Sequence, residues 1–541
     1  MRARLRRMGG YQAHGPLRFS FSAVLRIFSG REFSSSLGVP MGTRVIRFSA
    51  AVVFALLAQW AIVLSQPRTI TILHTNDLHA SFMPHEAQWV LESPKPMVGG
   101  FARLWQVADS IKKAVPSFLM LDAGDVMTGN PITEIRYEGA YGGALFAMMN
   151  FIGYDAWCPG NHDFDVSQEN LRRLISLAQF PAVSANLVNT KGEFPVGNRP
   201  YVILERGGMR IGIIGIISQE LYGLVNQNNL VGIKVLSPSA TVQEEVDELM
   251  PKTDLLIALT HEGVDDDSML AAQVHGLNII VGGHSHTRLK KPLSVNGVLI
   301  VQTGSNCENL GELTVTVENH KVIFSDGKLI PLWTGNQTER SAVSVLADSM
   351  QAEIDKEYDQ VLATLRGDWK RKDGQSSIGT YIAEAQRVAA GAEVGFMNNQ
   401  GIRRDVAAGP LTRKTLFEIL PFQNILVTFQ LSGAQLRSIM QYYVEKKAPI
   451  QIAGMAGKWK RGQDGSVEFT TIDVNGRPLE EDKMYVCAAS DYFVGEAKHY
   501  LGLEIAQPIF LQQTVFAAVE RVVRDEKTIT PRVQYTIERE R

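Results

Sequence analysis

The chain has 541 residues, of which 45% are hydrophobic and 20% charged, and its formal net charge is −2. This length exceeds what a single hydrophobic core supports, so at least two domains are expected. The near-neutral balance lacks the basic excess of nucleic-acid-binding proteins, and nucleic acid is not an expected partner. Cys158, Cys307 and Cys487 are too few and too widely spaced for a disulfide framework. They are predicted to be buried free thiols, with one disulfide and a spare cysteine as the alternative.

Residues 1–66 are predicted to form an N-terminal extension and a signal peptide. Arg44 and Arg47 precede an apolar run over 48–64, which is followed by Ser65-Gln66-Pro67. A basic segment, a short apolar run and a small residue before a turn are typical of secretory signals. The run is shorter than the roughly 20 residues that span a bilayer, so cleavage is preferred over anchoring. The sequence therefore predicts export to the periplasm, cell surface or medium, without stable membrane insertion, and Met41 is an alternative start.

From residue 69 onwards, β-branched runs alternate with helical patterns and predict a mixed α/β fold. The predicted strands cover 69–74, 118–121, 182–185, 254–259, 278–281 and 298–302, and the predicted helices cover 103–115 and 169–178. Turns at Gly207-Gly208 and at Asn319 predict two hairpins, formed by 202–205 with 210–217 and by 313–317 with 321–324.

These patterns divide the exported part into two predicted domains. The first covers 67–340, and apolar residues at helical spacing predict a linking helix over 341–362. The second, over 363–541, is a smaller α/β domain with a helix at 378–390 and strands at 394–397 and 485–489.

Five polar clusters follow predicted strands of the first domain. They are Asp77-Leu78-His79, Asp125, Asn161-His162-Asp163-Phe164-Asp165, His261 and His284-Ser285-His286. The carboxyl ends of strands are where α/β sheets place their sites. Carboxylate, amide and imidazole ligands without thiolate suit Zn²⁺, Mn²⁺, Fe or Co. A single such histidine is more often structural, but five clusters in this order favour a metal site.

The motifs resemble those of the 5′-nucleotidase family of calcineurin-like metallophosphoesterases. The similarity extends from about residue 70 to 529 and rests on the five clusters above together with Thr260-His261-Glu262-Gly263 and Gly282-Gly283-His284. It implies a four-layer α-β-β-α metallophosphoesterase sandwich followed by a smaller substrate-binding domain. It also implies two divalent metal ions and a nucleotide or related phosphoester substrate.

The resemblance further assigns the ligands. One metal ion is held by Asp77, His79 and His286, the other by Asn161, His261 and His284, and Asp125 bridges them. Such a pair of cations lowers the pKa of a bound water and clamps a phosphate. His162, oriented by Asp165, is then implied to assist the reaction, and Asp163 to support its loop.

The second domain carries a partial match to the family's substrate motifs. Met397-Asn398-Asn399-Gln400-Gly401-Ile402-Arg403 resembles an N-G-G-G-I-R loop that has lost two glycines, and Leu420-Pro421-Phe422-Gln423-Asn424 resembles a P-F-G-N segment. By this resemblance Asn398, Arg403, Phe422 and Asn424 bind the substrate, with Phe422 stacking on the base. The family's G-G-D-G-[FY] signature, which brings a second stacking aromatic, is absent. Tyr500 and Phe493 are the candidates to replace it.

Three functions remain open on the sequence. The leading hypothesis is a hydrolase of nucleoside 5′-phosphates, with nucleoside di- and triphosphates or UDP-sugars as further substrates. The altered second domain keeps open a hydrolase of 2′,3′-cyclic nucleotides or another small phosphoester. A surface nucleotide-binding protein without turnover is the third reading, and the intact ligand set argues against it because buried unpaired carboxylates are costly without metal.

Overall fold

The computed structural model describes residues 66–87, 89–90, 94–335, 339–372, 374–422, 424–463, 465–533 and 535–540. The predicted extension and the apolar core of the signal peptide lie outside these ranges. The elements described below belong to one unit, Pro67–Arg541.

Two sheets form the first half of this unit. The five-stranded sheet has the spatial order Lys321–Pro331, Asn309–Glu318, Arg68–Thr75, Phe118–Asp122 and Ala156–Trp157. The six-stranded sheet has the order Leu293–Val295, Val298–Val301, Ile279–Val281, Leu255–His261, Met209–Ile217 and Tyr201–Arg206. Central strands pair in parallel, and so does the edge strand Ala156–Trp157. The other outer strands join as antiparallel hairpins. Leu255–His261 is buried along its whole length, as expected for a parallel strand that is covered on both faces.

The sheets pack face to face and are covered by helices on their outer sides. Ile72 and Leu121 of one sheet share a core with Ile213 and Ile257 of the other. The outer faces pack against four helices, Phe101–Ala114 and Gly143–Ile152 on the first sheet and Pro238–Leu249 and Val264–Gln273 on the second. This arrangement confirms the predicted four-layer sandwich.

The second half contains a smaller α/β region. Its central sheet has the order Ile450–Ala453, Val394–Asn398, Met484–Ser490, Ile425–Ser432 and Ile509–Thr514. Two further sheets have the orders Gly409–Thr412, Val361–Leu365, Thr528–Ile529 and Arg477–Pro478, Val467–Val474, Met455–Arg461, Ile537–Arg539. Its helices are Ser377–Ala389, Arg413–Ile419, Gly433–Lys446, Asp491–Gly495, Ala497–Leu501 and Val515–Glu526.

Further elements complete the part of the chain that the structure describes. The remaining α-helices are Gln168–Leu177, Leu221–Leu224 and Ala342–Tyr358, and the single-turn helices are Pro131–Glu134, His162–Phe164, Gln227–Leu230, Met250–Lys252 and Asn399–Gly401. Two-stranded ribbons pair His85–Glu86 with Met97–Val98, Arg136–Tyr137 with Ala140–Tyr141, and Leu187–Asn189 with Ile233–Val235. No helix within the described ranges has the length and apolarity to cross a bilayer. The three cysteines are free and buried, which confirms that prediction.

Two sequence-based element predictions are wrong. Residues 182–185 form no strand, because their backbone bonds go to three separate partners, Trp157, Arg199 and Gly215, and not to one ladder. The predicted helix over 341–362 ends at Tyr358, and Val361–Leu365 is a strand that pairs with Gly409–Thr412. Apolar spacing alone does not reveal such a partner, which is about 50 residues away in the chain.

Candidate active site

The polar clusters converge where strands of the two facing sheets end. Asp77 and His79 follow Arg68–Thr75, and Asp125 follows Phe118–Asp122 in the same sheet. In the facing sheet, His261 is the last residue of its strand. Asn161 lies beyond Ala156–Trp157, and His284 and His286 follow Ile279–Val281. The fold therefore gathers at one edge residues that are more than 200 positions apart.

Backbone conformation at this edge is unusual. Five of the seven proposed ligands have a positive φ, namely Asp77 (50°), His79 (46°), Asp125 (56°), His284 (74°) and His286 (54°). This left-handed region is unfavourable for residues with a Cβ and is retained where surrounding structure enforces it. Adjacent loops supply that restraint, since the amide of Asp77 donates to the Gly124 carbonyl at 2.8 Å and that of His79 to the Asp125 carbonyl at 2.9 Å.

Asp77, His79 and His286 form the first candidate ligand group. Nε2 of His79 lies 3.0 Å from Nε2 of His286, and the latter lies 3.4 Å from Oδ1 of Asp77. Nδ1 of His79 faces the carbonyl of Thr128 at 3.2 Å, which leaves Nε2 directed at the other two ligands. A carbonyl partner of this kind fixes the tautomer of a metal-binding histidine.

The second group contains Asp125, His261 and His284, with Asn161 beside them. Oδ1 of Asn161 lies 3.2 Å from Nε2 of His261 and 3.0 Å from Nδ1 of His284. Nδ1 of His261 lies 2.6 Å from the Ala123 carbonyl, so its Nε2 also faces the group.

Asp125 lies between the two groups. Its Oδ2 is 3.2 Å from Nε2 of His261 and 4.0 Å from Nε2 of His79. Its Oδ1 accepts the backbone N–H of His162 at 2.8 Å. One carboxylate thus faces ligand atoms of both groups, which is the placement required of a bridge.

The donor set fits two divalent cations. Oδ1 of Asp77 is buried and has no hydrogen-bond partner, although it faces two imidazole nitrogens. A buried carboxylate oxygen without a partner is costly unless a cation neutralises it. All ligand atoms within each group lie within 4.8 Å of one another.

Electrostatics at the second group is dominated by Asp125. Burial alone would raise the pKa of Asp125, but His261 and His162 bring it well below its usual range. Burial would lower the pKa of His261, yet Asp125 and Asp77 raise it to about 10. Both shifts express the same attraction between buried carboxylates and imidazoles, and this carboxylate charge is what a cation would bind.

His162 and Asp165 form a separate pair at the edge of the centre. Nδ1 of His162 lies 2.8 Å from Oδ2 of Asp165, and its Nε2 points towards Oδ2 of Asp125 at 4.0 Å. Burial would lower the pKa of His162, but Asp165 and Asp125 raise it above its ordinary value. The hydroxyl of Thr128 donates to Oδ2 of Asp165 at 2.6 Å and orients that carboxylate.

Asp163 holds the loop that carries this pair. Its carboxylate accepts four backbone N–H groups, from Asp125, Val126, Met127 and Gly160, at 2.8–3.1 Å. At Gly160 a Cβ would lie 2.2 Å from Oδ1 of Asp125, so the loop passes too close for any side chain. The supporting role that the sequence implied for Asp163 thus corresponds to a specific set of bonds.

A cleft of about 910 Å³ opens onto the centre and is lined by both halves of the chain. From the second half, all four predicted substrate residues line it: Asn398, Arg403, Phe422 and Asn424. The Phe422 ring stacks on the His162 imidazole with centroids 5.6 Å apart and planes at 30°. The Arg403 guanidinium lies 5.7 Å from the Phe422 centroid, and its charge interacts with Asp125 and Asp165.

The two aromatic candidates differ in position. Phe493 is completely buried in the core of the second half, stacked between Phe396 and Tyr500, and does not line the cleft. Tyr500 is nearly buried but does line the cleft, together with the more open rings of Tyr492 and Phe510. Among the two candidates, the geometry therefore excludes Phe493.

Sequence reasoning missed several residues of the site. Thr128, which orients Asp165, precedes Gly129 in a loop without a motif. His499, which lies in none of the motifs, lines the cleft, as do Asp491 and Glu496 in the segment that departs from the family pattern. The loss of the family signature in this segment was the feature of the sequence that could have pointed to these cleft residues.

Comparisons with known proteins agree with this geometry. The sequence model for calcineurin-like phosphoesterases matches residues 70–288, and that for the 5′-nucleotidase C-terminal domain matches 358–502. Protein UshA of Yersinia enterocolitica is 26% identical over 502 residues, covering 82% of this chain and 88% of that protein. The 5′-nucleotidase of Rattus norvegicus is 29% identical over 491 residues, covering 79% and 82%.

A solved structure shows a similar fold over nearly the whole length. The crystal structure of a 5′-nucleotidase precursor from Thermus thermophilus superposes with a TM-score of 0.76 at 25% identity, covering 87% of this chain and 100% of that one. The two motif sets, the four-layer sandwich and the paired ligand groups all agree with these matches. The chain belongs to the 5′-nucleotidase family of calcineurin-like metallophosphoesterases, which are metal-dependent phosphoester hydrolases.

Proposed function

We propose that this chain is an exported two-metal phosphohydrolase that removes phosphate from nucleoside 5′-phosphates. The observation that carries the proposal is the pair of ligand groups joined at Asp125, which opens onto a cleft lined by both halves of the chain. Relatives named 5′-nucleotidase, similar over about four-fifths of the chain, support the nucleotide as substrate. Nucleoside di- and triphosphates and UDP-sugars are proposed as further substrates.

Asp77, His79 and His286 would hold one cation, Asn161, His261 and His284 the other, with Asp125 shared. Two bound cations supply an activated water and neutralise the charge of a phosphoryl group. The ions proposed are Zn, Mn, Fe or Co, on the basis of oxygen and imidazole ligands.

Neighbouring side chains position the phosphate and its leaving oxygen. His162 presents Nε2 to the centre while its Nδ1 donates to Asp165. Because Asp165 and Asp125 raise the pKa of His162, the charged imidazolium is favoured, and in this form Nε2 can donate to a phosphoryl or leaving oxygen. Arg403 directs a planar, permanently charged guanidinium into the cleft, where it can pair with phosphate oxygens. Phe422 offers a ring face beside the centre. We assign residues 67–340 to metal binding and residues 363–541 to substrate binding, with the helix Ala342–Tyr358 between them.

Export is proposed from the sequence of residues 41–66, which resembles a cleavable signal. Expression of the full chain with fractionation and N-terminal sequencing tests it. A mature form that begins near residue 66 outside the cytoplasm is expected, and an uncleaved protein in the cytoplasm would refute it.

A substrate panel on metal-loaded protein tests the activity. It contains AMP, ADP, ATP, UDP-glucose, 2′,3′-cyclic AMP, ribose 5-phosphate and an aryl phosphate. We expect kcat/KM for AMP to exceed that for ribose 5-phosphate by more than tenfold, because base contacts then contribute. Preference for the cyclic nucleotide, or equal rates on all phosphoesters, would replace this proposal by the alternative phosphoesterase. Metal binding and nucleotide binding without any turnover would identify a non-catalytic binding protein.

A further inference from the structure

The wall of the cleft formed by residues 491–500 carries two carboxylates with different surroundings. Asp491 is fully engaged, since its oxygens accept the backbone N–H groups of Ile425 at 3.0 Å and Tyr492 at 2.8 Å, and the side-chain amide of Asn226 at 2.9 Å. For the Glu496 carboxylate, no hydrogen bond or ion pair is found within the described part of the chain. Of these two carboxylates, Glu496 is therefore the one whose oxygens are free to accept hydrogen bonds from a ligand.

Aromatic hydroxyl groups and backbone surround this free carboxylate. A Cβ on Gly223, in the opposite wall, would lie 3.7 Å from Oε2 of Glu496, so the carboxylate reaches across the cleft. Its negative charge contributes to the raised pKa values of the Tyr492 and Tyr500 hydroxyl groups, which burial raises first. All of these residues line the same cleft as the metal-binding residues.

Charge decides which part of a nucleotide meets this wall. The phosphate is drawn to the metal-binding residues and Arg403, whereas Glu496 repels it. The part of the ligand next to Glu496 must be uncharged or cationic and must donate N–H or O–H groups. A contact with the ribose hydroxyl groups would be common to every nucleotide and to ribose 5-phosphate, so only a contact with the base would distinguish one nucleotide from another. A carboxylate offers only acceptors, and two of them side by side match two adjacent donors.

Among the common bases, guanine alone presents two adjacent donors, its ring N1–H and its exocyclic amino group. Adenine and cytosine place one amino group beside a ring-nitrogen acceptor, which the carboxylate repels, and uracil has one ring N–H between two carbonyls. On this basis, and resting on the proposed function, we propose that Glu496 is a specificity residue that accepts the N1–H and amino groups of guanine and makes GMP the preferred nucleoside monophosphate.

The comparison of GMP with IMP isolates this contact, because the two differ only by the exocyclic amino group. Removing a donor from a site built to accept it costs about tenfold or more in kcat/KM. We expect the metal-loaded full chain to prefer GMP over IMP by about that factor. Glu496→Gln should lower kcat/KM for GMP about tenfold and bring the GMP/IMP ratio towards one. Turnover of ribose 5-phosphate should change less than twofold, which shows that the variant is folded and its chemistry intact.

Glu504→Gln, an exposed carboxylate outside the cleft, is the matched charge control and should leave the GMP/IMP ratio unchanged. A ratio near one in the unaltered protein, or a ratio that survives Glu496→Gln, overturns the proposal for Glu496. Preference for nicotinamide mononucleotide that is lost in Glu496→Gln also overturns it, since the carboxylate would then select positive charge. If kcat/KM for no nucleotide exceeds that for ribose 5-phosphate, the proposed function itself fails. This outcome differs from equal kcat/KM values for nucleotides with different bases, which contradicts only the role of Glu496.

Discussion

His162 is restrained from two sides by neighbours of very different sequence position. Asp165 holds its Nδ1 at 2.8 Å, and Thr128 in turn holds Asp165 at 2.6 Å. Phe422 covers the imidazole face from the second half of the chain. With its ring fixed and one nitrogen occupied, the imidazole presents the other nitrogen to the metal centre.

Replacement of His162 by Ala should separate turnover from metal binding. His162 belongs to neither ligand group, so metal content is expected to stay near that of the unaltered protein. Loss of a general acid or charge-stabilising group should reduce kcat by about 10²–10⁴. Elemental analysis and steady-state kinetics on the same sample measure both.

Asp125→Asn is the counterpart of that experiment. It removes the shared negative charge while keeping size, so metal content should fall together with activity. Metal content unchanged in Asp125→Asn, or lost in His162→Ala, would contradict the division of roles.

At the residue scale the sequence is informative where a motif brings several ligand types together. Asp77, Asp125 and His261 could be identified because each lies in a strand-end loop of a specific pattern. Thr128 could not, since its role depends on a carbonyl directed at His79 and a hydroxyl directed at Asp165, and both depend on a left-handed turn. A single Thr in a glycine-containing loop predicts neither.

Asp267, within the helix Val264–Gln273, ties together two elements that carry ligands. Its Oδ1 accepts the Thr260 hydroxyl at 2.6 Å, next to His261. Its Oδ2 has no hydrogen-bond partner and lies against Gly282, where a Cβ would approach it to 2.1 Å. Burial raises the pKa of Asp267 to about 7.

This raised pKa predicts a pH-dependent stability. The unfolded chain ionises Asp267 above its ordinary pKa of 3.8, while the folded chain keeps it protonated up to about 7. Unfolding therefore releases a proton in this window, and the free energy of unfolding falls as pH rises from about 4 to 7. In Asp267→Asn the contribution of Asp267 to this decline is absent, so the variant should gain stability relative to the unaltered protein as pH rises, by up to about 4 kcal/mol at pH 8.

Urea unfolding of chelator-treated protein at pH 4.5 and pH 8 measures the effect. Asp265→Asn, an exposed carboxylate on the same helix, serves as the control and should leave the slope unchanged. If the free energy of unfolding changes with pH to the same extent in all three proteins, Asp267 is ionised in the folded chain.

Element boundaries illustrate a second limit of sequence patterns. The hairpins at Gly207-Gly208 and Asn319 were predictable because their turn residues are local signals. Residues 182–185 have the composition of a strand, but three separate neighbours share their hydrogen bonds. Only the assembled fold decides whether such a run joins a ladder.

At the scale of the whole molecule, two hydrogen bonds join the halves across the cleft. The amide of Asn226 donates to Asp491 at 2.9 Å, and the hydroxyl of Tyr492 donates to the Gly223 carbonyl at 2.7 Å. Both lie at the cleft and beside the wall that carries Glu496. They stabilise the arrangement in which residues of both halves face the same ligand.

The double variant Asn226→Ala, Tyr492→Phe should favour more open arrangements. Its radius of gyration without substrate should increase in small-angle X-ray scattering. KM for AMP should rise several-fold, because part of the binding energy then restores the closed arrangement. Ser438→Ala, an exposed hydroxyl outside the cleft, gives the control, and an unchanged radius and KM in the double variant would contradict the role of these bonds.

At this scale the sequence predicted the two-part architecture but not the composition of the wall between the parts. The family signature is lost over 491–500, so no alignment assigned Tyr500 or Glu496. Both residues line the cleft, and Tyr500 also stacks on the buried Phe493, so its position depends on the packing of the core.

The left-handed backbone at the metal-binding loops sets a limit on protein engineering. Glycine would adopt these conformations at lower cost, so Gly at Asp77, His79 or His286 could relieve strain while deleting a ligand. Screens that select for thermal stability alone would therefore enrich variants that are more stable but catalytically inactive. A stabilisation campaign on this enzyme should keep these codons fixed and seek its gains in the helices that cover the sheets.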